Sequence, residues 1–248
     1  MDRMIPFCVL YSGEIYMKIK ELNIGARIID DKGISFLTAD HNNPFYKGTV
    51  LVSEKVISIR CLDEPKESYD DTERKKYGSN NYPESDLHKW LNSEDGFLKE
   101  LSQELKDAIL ISDVPYSAMK EQADTFQAKV FIPSITELGL AIEEHVKEGS
   151  RLPLFRDFRR RFALPTKEVV YSRPEGFNIV DEADTWCYWL RSSHPKRSCL
   201  QYSCHSHGPY SFMPAGRGYV GVRCMICVDD SLNICEKSGK YYIDKGGK

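Results

Sequence analysis

The chain is predicted to be an α+β domain, on three observations. Its first third carries short β-rich segments joined by polar turns, and its middle carries apolar residues at helical spacing. Its last quarter returns to strand-like segments that flank a Tyr-, Ser- and His-rich excursion. Separate β and α regions argue against alternating βαβ units. At 248 residues, 41% hydrophobic and 29% charged, the chain can bury a substantial core. Residues 17–245 are taken as one domain, with residues 1–16 as an N-terminal extension.

The N-terminal strands come first. Ala26, Arg27, Ile28 and Ile29 lead into the turn Asp31-Lys32-Gly33, and Ile34 to Thr38 return as the second arm of a hairpin. Thr49 to Ser53 is again β-rich. The polar stretch from Asp63 to Tyr82 has no periodicity and reads as a long surface loop. Ser85 then suits an N-cap, with Leu87, Trp90 and Leu91 on one helical face. Past Gly96, the residues Phe97, Leu98, Leu101, Leu105, Ala108 and Ile109 keep helical spacing and predict a second helix. Lys129 to Ile132 is a short strand. Ser134-Ile135-Thr136-Glu137 has the form of a capping box and predicts a helix to about Glu144. The knot of Arg156, Arg159, Arg160 and Arg161, with Phe155, Phe158 and Phe162 interleaved, reads either as a phosphate or nucleic-acid contact or, as one short cluster on an acidic chain favours, as an amphipathic turn whose Phe residues bury while the arginines face water. A closing hairpin turns at Ser238-Gly239.

The C-terminal region 186–228 is the most informative. Two apolar, Arg-bearing segments, Trp186 to Ser193 and Gly221 to Val228, hold the biased excursion between them. A strand to Cys204, a turn over Ser206-His207-Gly208-Pro209 and a strand from Tyr210 make a hairpin. Met213 to Tyr219 then loops over, with Gly216 and Gly218 giving freedom. Tyr offers a large amphipathic surface on few torsions, and Ser and Gly adapt around it. Tyr188, Tyr202, Tyr210, Phe212 and Tyr219 are therefore candidate contacts, with His205, His207 and Arg217 adding polar grip. The alternative is that these aromatics fill the core beneath a solvated hairpin, and strand alternation favours a split between the two. Trp186, Trp189, Arg191, Gly208, Gly221 and Arg223 are assigned to the supporting frame. Trp189 and Arg191 share a strand face, and Arg191 is expected to stack on a ring or to pair with Asp181, Glu182 or Asp184.

Composition narrows the chemistry. A net charge of -3 gives no global pull toward nucleic acid. No apolar run approaches the roughly 20 residues that a membrane span needs. The first residues lack an adequate apolar core and a small-residue cleavage site, so no signal peptide is read. Synthesis in the cytoplasm with reduced thiols is the expectation for the eight cysteines. Cys224 and Cys227 form C-x-x-C downstream of Cys199 and Cys204, which invites a zinc reading. The spacing fits no standard finger, and positions three apart on a strand face opposite ways, so no metal or other cofactor is assigned. Nucleophilic catalysis lacks an elbow motif, and no phosphate-binding glycine loop is present.

Several pieces together resemble a bacterial and bacteriophage family of unassigned function. They are Tyr77-Gly78-Ser79-Asn80-Asn81-Tyr82, Trp90-Leu91-Asn92-Ser93 and Lys129-Val130-Phe131-Ile132-Pro133-Ser134. Next come Glu137-Leu138-Gly139-Leu140, Glu148-Gly149-Ser150-Arg151-Leu152 and Leu154-Phe155. Trp189-Leu190-Arg191-Ser192 and Gly221-Val222-Arg223 complete the set. Members carry Trp-Leu-Arg-(Ser/Thr)-Pro and end in Gly-Val-Arg-Pro-Ala-Leu. This chain departs at Ser193 and at Cys224-Met225-Ile226. The Trp and Gly-Val-Arg frame is also similar to the C-terminal half of C-type-lectin-like folds, shared by formylglycine-generating enzymes and the variable proteins of diversity-generating retroelements.

These resemblances imply a recognition protein of phage or prophage origin, on a particle or a cell surface. It binds a protein or glycan through the hairpin and loop, with no membrane insertion and with an oligomer open. Residues Ser198 to Phe212 are drawn largely from the set that adenine mutagenesis makes from Asn codons, as in a retroelement target. The alternatives are a formylglycine-generating-type enzyme using Cys199 and Cys204, and a structural virion component.

Overall fold

A computed structural model describes residues 14–117, 122–140, 146–175, 184–205 and 210–244. The architecture is α+β: one large sheet, one smaller sheet, a two-stranded ribbon and short helices. Edge to edge, the large sheet runs Ile15–Lys18, Asn233–Lys237, Lys240–Ile243, Arg27–Ile29, Ser35–Asp40, Thr49–Ser53, Met225–Val228 and Val130–Phe131. The two ends of the chain thus meet in one sheet. Ser35–Asp40, Thr49–Ser53 and Met225–Val228 are buried at every position, so both faces of the sheet centre are covered. Val, Ile and Leu in these strands supply that two-sided core.

Turn chemistry sets both hairpins. Gly33 takes φ +88 and its N–H donates to Asp30 O at 2.7 Å, which closes the turn between Arg27–Ile29 and Ser35–Asp40. Ser238 and Gly239 lie at φ 52 and 74, and Lys237 pairs with Lys240 across them. Two consecutive left-handed residues make the type I′ turn that suits strand twist.

The helices are shorter than periodicity predicts. Ser85 caps Asp86–Leu91 by accepting from His88 N, as expected. The second predicted helix is broken into a 3-10 turn, Phe97–Glu100, and an α-helix, Gln103–Ala108. Leu101 is extended, and Ser102 begins a new helix by accepting from Leu105 N. A serine that offers its oxygen to the backbone favours a cap over a helix interior. The capping box at Ser134 is real: Ser134 Oγ accepts from Glu137 N and Ser134 N donates to Glu137 Oε2. It opens only one turn, because Gly139 at φ +68 stops it. Gly139 N donates to Thr136 O and Leu140 N to Ile135 O, the two bonds of a Schellman ending. The rest of that predicted helix, 141–144, lies outside the described residues.

Two other expectations are corrected. The segment 63–82 is no surface loop throughout: it holds the helix Thr72–Tyr77, and Asp63, Ser79, Asn80 and Tyr82 are buried. Asp63 organises it, accepting from Tyr69 Oη, Ser79 N and Lys66 Nζ. In the arginine knot, Phe155 is buried but Phe158 is 61% exposed and Phe162 half-buried. Successive 3-10 turns, Pro153–Arg156 and Phe158–Arg161, turn those rings in different directions.

The smaller sheet runs Ser211–Pro214, Leu200–Cys204, Tyr188–Ser193, Gly221–Val222 and Ser58–Ile59. The opening segment of region 186–228 therefore lies in this sheet. The closing segment divides: Gly221–Val222 stays beside Tyr188, and Met225–Val228 crosses into the large sheet. No helix among the described residues is long and apolar enough to cross a membrane.

Candidate recognition surface

The outer edge of the smaller sheet is the strand pair of the predicted hairpin, whose turn at 206–209 lies outside the described residues. Leu200–Cys204 pairs antiparallel with Ser211–Pro214, and Tyr202 lies opposite Phe212. Around this pair the rings gather. Tyr202 meets Tyr210 edge-on at 5.6 Å and Phe212 at 6.2 Å. His194, just past the neighbouring strand, stacks on Tyr202 at 6.0 Å and meets Phe212 edge-on at 5.1 Å. Phe212 is 50% exposed and Tyr210 36%, whereas Tyr202 is buried beneath them. Each such contact is worth about 0.5–1.5 kcal/mol beyond burial, so the exposed rings are held in place.

The sequence grouped more residues into one surface than the fold brings together. Tyr188 is fully buried: its hydroxyl donates to Arg161 O, and the Arg223 guanidinium lies over its ring at 5.5 Å. It is frame, not contact. Tyr202 is a buried support for its neighbours. Arg217 is exposed and lies over the Tyr219 ring at 5.7 Å. Tyr219 leads into Gly221–Val222, three strands from Phe212 in sheet order. That is about 14 Å at roughly 4.8 Å per strand, so Arg217 and Tyr219 form a second group. Gly216 gives no freedom there, since its N–H donates to Tyr77 O at 2.7 Å and an added Cβ would lie 3.0 Å from Pro65. His205 is half-buried, and His207 and Gly208 lie outside the described residues. His194, which the sequence did not place at the surface, joins the aromatic cluster.

The frame is held from below by two buried arginines. Arg191 donates to both oxygens of Glu137, at 2.7 and 2.8 Å, and to Pro115 O, Ile132 O and Glu148 O. Tyr46 donates to the same carboxylate and accepts from Arg191 Nη2 at 3.1 Å. Nearby, Glu148 accepts from Ser117 N, Ser117 Oγ and Ser192 Oγ. The expected ring is present, with the Arg191 guanidinium over Phe131 at 5.7 Å, whereas the expected acid is corrected. Asp181 and Glu182 lie outside the described residues, and the bidentate partner is Glu137. Its signal was legible in the capping box at Ser134, which includes Glu137. Trp186 Nε1 donates to Tyr219 O at 3.0 Å and Trp189 Nε1 to Arg60 O at 2.8 Å. Gly221 allows the close approach, because a Cβ there would lie 2.7 Å from Cys187 O.

The thiols are dispersed. Cys199 Sγ lies 3.6 Å from Glu73, and Cys204 Sγ 3.6 Å from Arg161 O, so the two do not form a pair. Cys224 meets Ser53, whereas Cys227 lies toward Ser112. Burial pushes both of these thiols up to about 12. A protonated thiol is a poor nucleophile and a poor ligand. No group of three or more His, Cys, Asp or Glu placed to hold a metal occurs among the described residues.

His88 is a packing residue with a consequence for pH. It sits edge-on to Tyr82 and Phe126, and burial pushes its imidazole down to about 4. Asn92 accepts from Lys129 N and Val130 N, which turns its amide toward His88 Nδ1 at 3.2 Å. Nδ1 is then an acceptor and the ring is neutral. The unfolded chain takes up this proton near 6.5 and the folded chain only near 4. Stability is therefore complete above about pH 6.5 and is lost as pH falls toward 4. His88→Gln is expected to flatten the pH dependence of the urea midpoint across that window. An unchanged slope would rule His88 out as its source.

A family model described as a domain of unknown function (DUF6273) matches residues 47–230. The span includes every strand of the smaller sheet. The strands outside it, Ile15–Lys18, Arg27–Ile29, Ser35–Asp40, Asn233–Lys237 and Lys240–Ile243, lie side by side at one edge of the large sheet. No curated protein and no solved structure matches the chain.

Proposed function

The chain belongs to the DUF6273 family, and from that premise we propose that it is a non-catalytic recognition protein. We read it as C-type-lectin-like and of phage or prophage origin, with a protein or glycan surface as its partner. The observation that carries this reading is the half-exposed pair Tyr210 and Phe212, braced by Tyr202 and His194 on the outermost hairpin of the smaller sheet. Rings already fixed by their neighbours lose little freedom on binding. An aromatic anchor of this kind, with Ser and His beside it, matches the composition of binding loops. The lectin-like element of the proposal draws on the adjacency of Tyr188 and Gly221 in one sheet, with the hairpin hung outside them.

The surface is tested by a glycan array and a host-surface binding assay, each run with the chain and with Tyr210→Ser/Phe212→Ser. Both side chains are exposed at the sheet edge, so the variant is expected to fold. Binding at least about tenfold weaker is expected, since interface aromatics are frequent hot spots. Undiminished binding by the variant would sink the reading. A retroelement target further requires a reverse transcriptase gene and a near-copy of the codons for residues 198–212 beside this gene.

A further inference from the structure

Arg223 is 1% exposed, yet its guanidinium is only partly committed. Nε donates to Ser53 O at 2.9 Å. Nη1 donates to Arg160 O at 2.8 Å and reaches Arg161 O and Tyr188 Oη. Nη2 has no hydrogen-bond partner among the described residues. Unlike Arg74 Nε and Arg161 Nε, which among the described residues are shut away from solvent without a partner, Nη2 keeps a little accessible surface. Nη2 is therefore open to the cavity that Arg223 lines, a space of about 400 Å³.

Two more cationic residues, Lys55 and Arg160, line that cavity. Neither Lys55 Nζ nor the Arg160 guanidinium makes an ion pair or hydrogen bond among the described residues. The carboxylates at the rim are already engaged: Glu54 with Arg27 at 2.6 Å, and Asp157 with Arg159 at 3.1 Å. Three cations with donors free of hydrogen bonds thus line one cavity, although Arg160 also lies in the field of Asp157 and Lys55 in that of Glu168, and Leu37, Phe162 and Leu164 add an apolar wall. A buried guanidinium with idle donors is best satisfied by an acceptor that also carries charge.

We infer that this cavity binds a small phosphate or sulfate monoester. The tetrahedral head accepts from Arg223 Nη2, Arg160 and Lys55 neutralise it, and the organic body rests on Leu37, Phe162 and Leu164. Guanidinium donors match the oxygens of such a head, and the volume suits a small ligand. The site lies apart from the aromatic hairpin and does not depend on its role.

The test is calorimetric titration of the full chain with inorganic phosphate, glucose 6-phosphate, glucose 6-sulfate and glucose. Ionic strength is held constant with chloride. At least one ester is expected to bind more tightly than inorganic phosphate, with glucose silent. Comparing the two esters distinguishes a phosphate site from a sulfate site. Lys55→Gln/Arg160→Gln removes two charges that make no hydrogen bond or ion pair among the described residues, and should weaken ester binding about tenfold or more. Lys240→Gln, an exposed change on the C-terminal hairpin, should leave it unaltered. Arg223→Lys keeps the charge and removes the fork, and should also weaken binding. If it fails to fold, the double variant decides alone. Equal affinity in wild type and double variant, or no ester binding above that of chloride, would overturn the assignment.

Discussion

Glu137→Ala is expected to cost about 3–5 kcal/mol of folding stability, because it leaves the Arg191 charge buried without its counterion. Glu137 and Arg191 are both fully enclosed, and the pair is bidentate. Tyr46 Oη and Ser134 N also lose their acceptor. Arg191→Met alone should cost a similar amount, since it orphans the carboxylate. The double variant should cost clearly less than the sum, because no unpaired charge remains. It should not recover fully: Pro115 O, Ile132 O and Glu148 O all accept from this arginine. Urea midpoints of the four proteins measure the cycle. Additive losses would show that the two charges act independently. The Glu137 side of the network also ties the turn at Ser134 to the strand Tyr188–Ser193, so these variants report on how the display sheet is anchored.

Trp189→Ala is the second large effect, at about 3–5 kcal/mol. The indole is fully buried, and its N–H donates to Arg60 O at 2.8 Å. Truncation leaves a cavity and an unpaired carbonyl together. Arg60 in turn stacks on Trp90 at 4.2 Å, so the loss should propagate to the helix Asp86–Leu91. Trp189→Phe should restore much of the packing but not the hydrogen bond. Thermal unfolding of the two variants separates these contributions, and near-equal losses would place the cost in the hydrogen bond. Ser203 is the register partner of Trp189, so the Ala variant should also loosen the strand that carries Tyr202.

What was legible in the sequence was local. Alternating apolar residues and a glycine turn marked the hairpin of Arg27–Ile29 with Ser35–Asp40, and Ser238-Gly239 marked the C-terminal one. A serine at the right place marked the start of Asp86–Leu91. The capping box at Ser134 was visible too, and Gly139, five residues on, is the stop that ends its single turn. Trp186, Trp189, Arg191, Gly221 and Arg223 were placed in a frame because strand-like apolar segments held them, and they are buried or closely packed.

The amino-acid sequence by itself determined where strands and turns form and which residue types crowd the hairpin. Those features depend on neighbours a few positions away, through backbone torsions and side-chain alternation. Only the tertiary structure decided which strand face is covered, so that Tyr188 lies under Arg223 while Phe212 faces outward. It also chose Glu137 for Arg191, across 54 residues of chain, and left one nitrogen of Arg223 for a cavity. Alternation gives every strand two faces. Which of them meets water is set by the element that packs against it, and no residue spacing along the strand encodes that element.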